Sequence, residues 1–294
     1  MGGCAVKLKS LIKVSRPPTL AATVTPMVVG GALAWRGLHV MVWWAWLDII
    51  FIGFLMQIGA NMLNEYHDFV QGLDTSESLG IGGIIVSGEV PAPAVRRWAV
   101  SLYAAALALG LILVIFRSPW LLLMGVLAIA AGFLYAGGPF PISATPFGEI
   151  FVFIIMGPLE VTATELAAGG RITPMAWMAS IPVGLMVASI LLGNNLRDRV
   201  KDGQHGRRTI PVLLGHAKGF LAISLVVALA FATILMAAIT HRLPLTALLA
   251  WAALPLAVAG LRQLNGPEGL KKAVPLMGRL HVALGLLLAL GILL

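Results

Sequence analysis

The sequence predicts an all-α membrane protein with about nine transmembrane helices, and three observations carry that expectation. Of the 294 residues, 59% are apolar and 11% charged, against about 45–50% and about 25% in soluble globular domains. Mean hydropathy is +0.96. Uncharged runs of about 20 residues recur along the chain, the length that carries a helix across about 30 Å of hydrocarbon. A soluble globule and a disordered chain are both excluded, and 33 Gly and 17 Pro scattered without a period exclude collagen or a low-complexity repeat. The single Cys4 cannot make an internal disulfide, a Cys/His zinc site or a Cys-x-x-Cys redox pair. Met1-Gly2-Gly3-Cys4 does not complete a myristoylation signal, because Val6 stands where Ser or Thr is needed.

The first span lies between Arg16 and Arg36, and the second covers roughly Val42 to Leu63 with Asp48 inside it. The third runs from Ala99 to Phe116, after Arg96-Arg97. Residues Ser118 to Gly148 are uncharged for too long a stretch to be one helix; Gly137-Gly138-Pro139-Phe140-Pro141 divides them into a fourth span and a fifth beginning near Phe147. Ile172 to Asn195, Gly219 to Thr240, Leu243 to Leu261 and Ala273 to Leu294 follow, the last with Arg279 one or two turns inside. Lys7, Lys9 and Lys13 ahead of the first span resemble a signal-peptide start, but no small-residue cleavage site follows, so that span is expected to be retained. Residues 1–294 then form a single transmembrane domain.

With the N-terminus inside, sixteen Lys and Arg fall on inner segments and four (Arg36, Arg117, Arg171, Arg242) on outer ones. That bias predicts a cytoplasmic N-terminus in a prokaryotic cell membrane and accounts for the net charge of +8 without nucleic acid. Nine of the twelve carboxylates also fall on the inner side, concentrated at two helix ends. The second span runs into Asn61-Met62-Leu63-Asn64-Glu65-Tyr66-His67-Asp68 and on to Asp74, and the sixth into Asn194-Asn195-Leu196-Arg197-Asp198-Arg199-Val200-Lys201-Asp202. Asn64 and Asp68 are four apart, as are Asn194, Asp198 and Asp202, so each set shares one helix face if the helices continue past the apolar boundary. Two such stripes four spans apart suggest a pseudo-repeat.

Carboxylates at a helix C-terminus meet the negative end of the helix dipole and each other, so a cation should compensate. Oxygen donors without His or Cys suit a hard divalent ion, and Mg²⁺ takes one or two carboxylates and leaves its remaining positions to water and substrate phosphate. Arg197, Lys201, Arg207 and Arg208 stand beside the second acidic stripe, and Arg grips phosphate oxygens in a bidentate fork. Acids with bases at one site read as a Mg²⁺-diphosphate centre. By contrast, Glu77, Glu89 and Glu268 read as a solvated boundary, His67 and His205 as solvated interface residues, and Trp43, Trp44 and Trp46 as an interfacial belt. Asp48 is either snorkelling or buried against a partner.

At these residues the chain resembles the UbiA superfamily of membrane prenyltransferases. Asn64-Glu65-x-x-Asp68 is similar to its Asn-Asp-x-x-Asp signature, with Glu65 a conservative departure, and Asp198-x-x-x-Asp202 matches its second signature. Ser15-Arg16-Pro17-Pro18-Thr19-Leu20, Asn64 to Asp74, Tyr135-Ala136-Gly137-Gly138-Pro139, Phe147-Gly148-Glu149 and Asn195-x-Arg197-Asp198 through Gly206-Arg207-Arg208-Thr209 resemble its 1,4-dihydroxy-2-naphthoate polyprenyltransferase branch, in menaquinone biosynthesis. The family commonly carries a basic residue shortly before Ser87-Gly88, whereas this chain reads Gly82-Gly83-Ile84-Ile85-Val86.

The resemblance implies a helical bundle around a membrane-open cavity, and Mg²⁺ at Asn64, Glu65, Asp68, Asp74, Asp198 and Asp202. It implies catalytic roles for Asp68, Asp198, Asp202 and Arg197, and substrate contacts from Asn61, Asn195, Lys201, Arg207, Arg208, Tyr66 and Tyr135. The implied substrates are a polyprenyl diphosphate and an aromatic acceptor, joined through an allylic cation with loss of CO₂ when the acceptor is dihydroxynaphthoate. Tyr66, Phe133 and Tyr135 are the aromatics that would face that cation. Sister acceptors are 4-hydroxybenzoate, homogentisate or an archaeal glycerol lipid. Beyond the lipid bilayer and these substrates no protein partner is implied. The rival class is a secondary transporter or divalent-ion carrier, but transport sites sit near the bilayer midplane, whereas here nearly every acid lies at one face.

Overall fold

The structure is a computed structural model that describes residues 8–39, 41–73, 83–137 and 141–294. The described residues are helical with no strand. After a short amphipathic α1 (Leu8–Ser15), α2 (Pro17–Leu38), α3 (Trp43–Val70), α4 (Ala92–Phe116) and α5 (Trp120–Ala136) follow in order. A 3₁₀ turn (Ile142–Ala144) leads to α6 (Gly148–Ile154), a π-helical turn (Ile155–Leu159) and α7 (Glu160–Gly169). Then come α8 (Pro174–Gln204), α9 (Ile210–Ile239), a 3₁₀ segment (Leu245–Ala253), α10 (Leu254–Leu264), α11 (Pro267–Lys271) and α12 (Ala273–Leu293). Eight of the helical segments are long and apolar enough to span a membrane, the α6–α7 and 3₁₀–α10 stretches each counting as one, and α5 is a shorter apolar helix of 17 residues. The expected nine spans are therefore present as segments, eight of them at full length.

Two boundaries differ from the apolar runs in a way that matters. Helix α3 continues seven residues beyond Leu63, and α8 nine beyond Asn195, so both acidic motifs ride on intact helix rather than on loops. Helix α9 begins at Ile210, ahead of the expected Gly219, but Gly215 (φ 78°, ψ −179°) interrupts it after one turn; only glycine adopts that conformation without strain. The π turn coincides with Pro158, which lacks the N–H a regular helix needs.

Arg16 joins α1 to α2 in the left-handed region (φ 49°), where non-glycine residues are uncommon, and Pro17 and Pro18 open α2 behind it. Thr19 donates both its N–H (2.8 Å) and its hydroxyl (2.9 Å) to the Arg16 carbonyl, closing that turn.

The main core joins α2, α8, α9, the 3₁₀ segment and α12 through Leu33, Leu192, Leu196, Ile223, Ile234, Met277, Leu280 and Leu284. A second cluster joins α1, α3, α4 and the loop at Ile84 and Ile85. On α4 and α5 the exposed side chains include Ile115, Phe116, Leu122, Leu123, Val126 and Leu127, the apolar exterior of a protein solvated by lipid. Trp43 and Trp44 are exposed, in keeping with a belt, whereas Trp46 differs from that expectation. Its indole N–H donates to the Met27 carbonyl (3.0 Å) and its ring covers Gly31, so it joins α2 to α3. For Asp48 the structure favours burial: its Oδ2 is enclosed without a hydrogen-bond partner.

Candidate active site

A cavity of about 1030 Å³ lies between α2, α3, α4, α5, the α6–α7 segment, α8 and α12. Most of its wall is apolar, with Met27, Ile49, Ile52, Leu113, Leu121 and Met124 contributing. Its polar residues concentrate at the end where α3 and α8 finish, here called the motif end: Arg16, Asn61, Asn64, Tyr135 and Asn194. The acids Asp68, Asp198 and Asp202 stand beyond that rim, one and two helical turns past the asparagines.

The second motif is wired internally. Arg197 holds Asp198 in a two-pronged grip, Nε to Oδ1 at 2.8 Å and Nη2 to Oδ2 at 2.6 Å, and the same Nη2 donates to Asn194 Oδ1 at 2.9 Å. Asp202 is nearly buried and faces Arg207, with Nη1 to Oδ1 at 3.5 Å. Arg207 Nη2 also donates to the Ser143 carbonyl at 2.9 Å, and the Arg208 N–H to Ala144 O at 2.8 Å, which clips the loop after α8 onto the 3₁₀ turn before α6. Asn195 points away from the cavity: its Nδ2 donates to the buried Glu149 Oε1 at 2.9 Å. The Arg208 side chain is exposed. Lys201 is partly buried, and its own carbonyl accepts from the His205 ring at 2.8 Å.

The first motif is wired differently. Glu65 is fully buried, and its Oε1 accepts the N–H groups of Ile84 (2.6 Å) and Ile85 (3.3 Å) while Oε2 faces Arg16 Nη2 at 4.0 Å. This corrects the expected ligand set: one residue after Asn64 on a helix is about 100° around the axis, so Glu65 organises the loop behind α3 while Asn64 faces the cavity. Two residues after Asn64, and so about 200° around the axis, Tyr66 also leaves the candidate substrate contacts. Its ring packs in the α3–α4 cluster, with the Arg96 guanidinium 5.8 Å from the centroid. Asn61 lines the cavity, but its Nδ2 is committed to Ser15 O (2.9 Å) and Thr19 Oγ1 (2.8 Å), tying the start of α2 to α3. Asp74 lies outside the described residues, as do Gly138, Pro139 and Phe140.

Tyr135 connects the two motifs. It lines the cavity, stacks on Phe151 (centroids 6.2 Å apart, planes at 14°), and lies within electrostatic range of Arg207, Glu149 and Asp68. Phe133 instead packs against Tyr103 and is exposed, and it is not in the cavity wall. Beside the rim, Glu89 accepts from Ser10 (2.6 Å) and Lys13 (3.3 Å), and these contacts hold its carboxyl below the ordinary carboxylate value.

Among the described residues no three His, Cys, Asp or Glu side chains converge to hold a metal by themselves. The donors are amide and carboxylate oxygens on two helices, with arginines interleaved. That fits an ion such as Mg²⁺, which needs only one or two carboxylates when phosphate completes its coordination. Sequence reasoning overlooked Gln57 and Glu160, and gave Glu149 and Arg279 no individual role. Glu160 and Arg279 carried a readable signal, since an ionisable residue within a span marks function by default. Glu160 stands apart from the acids gathered at one face: it lines the cavity one residue past the π turn.

An apolar cavity capped by two acidic helix ends, one of them rich in arginine, suits a membrane enzyme acting on an anionic lipid substrate. The model of the UbiA prenyltransferase family matches residues 23–288, and the chain belongs to that family. It is 39% identical to 1,4-dihydroxy-2-naphthoate octaprenyltransferase of Bacillus subtilis over 220 residues, covering 74% of this chain and 70% of that protein. Identity to the protein of that name from Mycobacterium tuberculosis is 34%, over 69% of each chain. In fold it is similar to a digeranylgeranylglyceryl phosphate synthase (TM-score 0.66, 17% identity, 97% of this chain and 98% of that one). It is likewise similar to a UbiA homologue from Archaeoglobus fulgidus bound to DMAPP and Mg²⁺ (TM-score 0.64, 15% identity, 95% and 99%). The protein is thus an integral membrane polyprenyltransferase.

Proposed function

We propose that the protein transfers a polyprenyl group from polyprenyl diphosphate to 1,4-dihydroxy-2-naphthoate, with Mg²⁺ and with loss of CO₂. The observation that carries this reading is the pairing of an apolar cavity with an oxygen-and-arginine cluster at its motif end. The prenyl tail would lie among Ile49, Ile52, Leu113 and Met124, and the diphosphate at the motif end. Mg²⁺ would be held by Asp68, Asp198 and Asp202 with Asn64 and Asn194, and when bound it neutralises the diphosphate as the allylic C–O bond breaks.

The remaining chemistry falls to the chain's own residues. The forks of Arg197 and Arg207 take up the charge that develops on the leaving oxygen, for which they are already placed by Asn194 and by the Ser143 carbonyl. The Tyr135–Phe151 stack offers π faces to the allylic cation, and the apolar wall keeps water from capturing it. The C–O electron pair leaves with diphosphate. The carboxylate-bearing ring carbon supplies the pair for the new C–C bond, and the pair from the bond to the departing CO₂ returns to the ring.

Support for the acceptor comes from the relatives' names, and support for the metal from the donor set and from the Mg²⁺-bound homologue. The inner, cytoplasmic placement of the motif end is likewise proposed from the charge bias. The test is an assay of purified protein with labelled polyprenyl diphosphate and a panel of aromatic acceptors, with and without Mg²⁺. Mg²⁺-dependent prenylation of dihydroxynaphthoate is the expected result. Product with only another acceptor would move the enzyme to a sister branch, and metal-independent turnover would remove Mg²⁺ from the reading.

A further inference from the structure

Arg279 sits inside a membrane-spanning helix, six residues past the start of α12, and lines the cavity together with Pro275, Gly278 and Val282. Its side chain is exposed, and among the described residues it makes no hydrogen bond or ion pair. A Cβ added to Gly278 beside it would meet nothing within 4 Å, so this face of α12 looks onto open space. An arginine near a helix end can carry its charge out to the interface, yet this one lines the cavity. A cation at that depth without an anion is costly.

Three packing contacts fix its depth. Gly285 of α12 packs on Thr25 of α2, His281 lies at the Ala22 backbone, and Ala273 lies against Gly193 of α8. Helices α2 and α12 both start at the motif end, so stepping back from these contacts puts Arg279 level with Thr19 and its partner Asn61. Asn61 is seven residues, about 10 Å of helix, deeper than Asp68. Asp198 is five residues nearer the motif end than Gly193, and Arg279 six residues the other way from Ala273, about 16 Å apart along the bundle. Arg279 therefore stands one layer deeper than the groups placed around the diphosphate, where an acceptor ring would meet the allylic carbon. Of the other ionisable residues in the wall, Arg16 faces Glu65. Glu160 is deeper still, because Thr164 one turn beyond it packs on Gly30.

We propose that Arg279 binds the carboxylate of an aromatic acceptor, the two parallel N–H groups of its fork matching the two oxygens. The proposal rests on the prenyl-transfer reading and makes Arg279 a determinant of acceptor class, selecting aromatic carboxylates over neutral phenols.

The test uses the full chain in detergent or nanodiscs, as wild type, Arg279→Gln and Arg279→Lys. KM is measured for polyprenyl diphosphate, for 1,4-dihydroxy-2-naphthoate and for 1,4-dihydroxynaphthalene, which lacks the carboxylate. Equilibrium dialysis of 1-hydroxy-2-naphthoate reads binding without turnover. In R279Q, KM and Kd for the carboxylates should rise about tenfold or more, the value expected for losing a charge-assisted contact. The KM values of polyprenyl diphosphate and of the decarboxylated acceptor should stay within about twofold of wild type, and R279K should fall between. Equal weakening of acid and decarboxylated acceptor, a rise confined to the diphosphate KM, or no change would each overturn the assignment. If wild type prenylates no aromatic acceptor, the functional reading fails, and dialysis still decides Arg279: naphthoate binding that R279Q leaves intact overturns the proposal, and binding it removes upholds it.

Discussion

The two acidic motifs have the same spacing on helices four spans apart, yet they are held in different ways. At the end of α8, each acid of the motif already has an arginine: Asp198 is gripped by Arg197 and Asp202 faces Arg207, which a carbonyl of the neighbouring turn also anchors. At the end of α3, Glu65 is committed to backbone N–H groups of the loop behind the helix and to Arg16. Equal spacing therefore does not mean equal work. The second motif is a charge-balanced unit set to receive an anion, while the first divides its acids between the rim and the structure that holds the rim.

The sharpest way to break this comparison is to neutralise one acid on each side. Asp68→Asn and Asp198→Asn should each lower turnover by at least about a hundredfold, comparable to removing a charge-stabilising group from an active site. Both positions lie past the apolar spans, so the detergent-solubilised variants should unfold at the wild-type temperature. Near-normal Mg²⁺-supported turnover in either would refute the assignment of that residue.

Arg197→Lys keeps the charge and removes the fork, so the second motif should lose its hold on both Asn194 and Asp198. About a tenfold rise in KM for polyprenyl diphosphate is expected from the loss of a bidentate charge-assisted contact; an unchanged KM would mean the fork serves only Asp198. Packing offers an independent probe of the same half. A Cβ on Gly184 would come within 2.9 Å of the Phe153 ring and 3.1 Å of Gly157 Cα. Gly184→Ala should cost about 1–3 kcal/mol of stability through overpacking, read as a lower unfolding temperature in detergent.

Glu65→Gln separates the two roles on α3. It keeps an oxygen for Ile84 and Ile85 but drops the charge facing Arg16, at a cost of about 1 kcal/mol. The Mg²⁺ concentration for half-maximal activity should not move, whereas a metal ligand at this position would shift it strongly.

The smallest effect is expected at Glu89. Its carboxyl is held below the ordinary value by Ser10 and Lys13, so its contribution is present above the unfolded-state value and is lost as pH falls through the lower folded value. Acidification through that window should make α1 easier to cleave by protease, and Glu89→Gln should abolish the pH dependence.

The span order was legible because hydrocarbon thickness imposes a length on uncharged runs, and Pro or paired Gly divides a run that is too long. The spacing of the second motif was legible, since Asp198 and Asp202 differ by one turn on α8, and the structure pairs them with Arg197 and Arg207. Glu65, Tyr66 and Asn195 turn away from the cavity because an offset of one or two residues rotates a side chain by about 100° or 200°, and only the neighbouring elements decide whether that direction is cavity or protein. Trp46 was read as a belt residue for the same reason: its partners Met27 and Gly31 sit on another helix.

Composition, span length and the four-residue spacing of the acids determined by themselves that this chain is a helical membrane protein with two oxygen-rich helix ends, because those properties follow from local geometry and from transfer out of water. The tertiary structure alone decided which oxygens face the cavity, that Glu65 braces a loop, that Asn195 reaches Glu149, and that Arg279 opens onto the cavity beneath the motifs. Those outcomes depend on how helices distant in sequence are rotated against one another, and helix rotation is set by close packing such as Gly157 on Gly184 and Gly285 on Thr25.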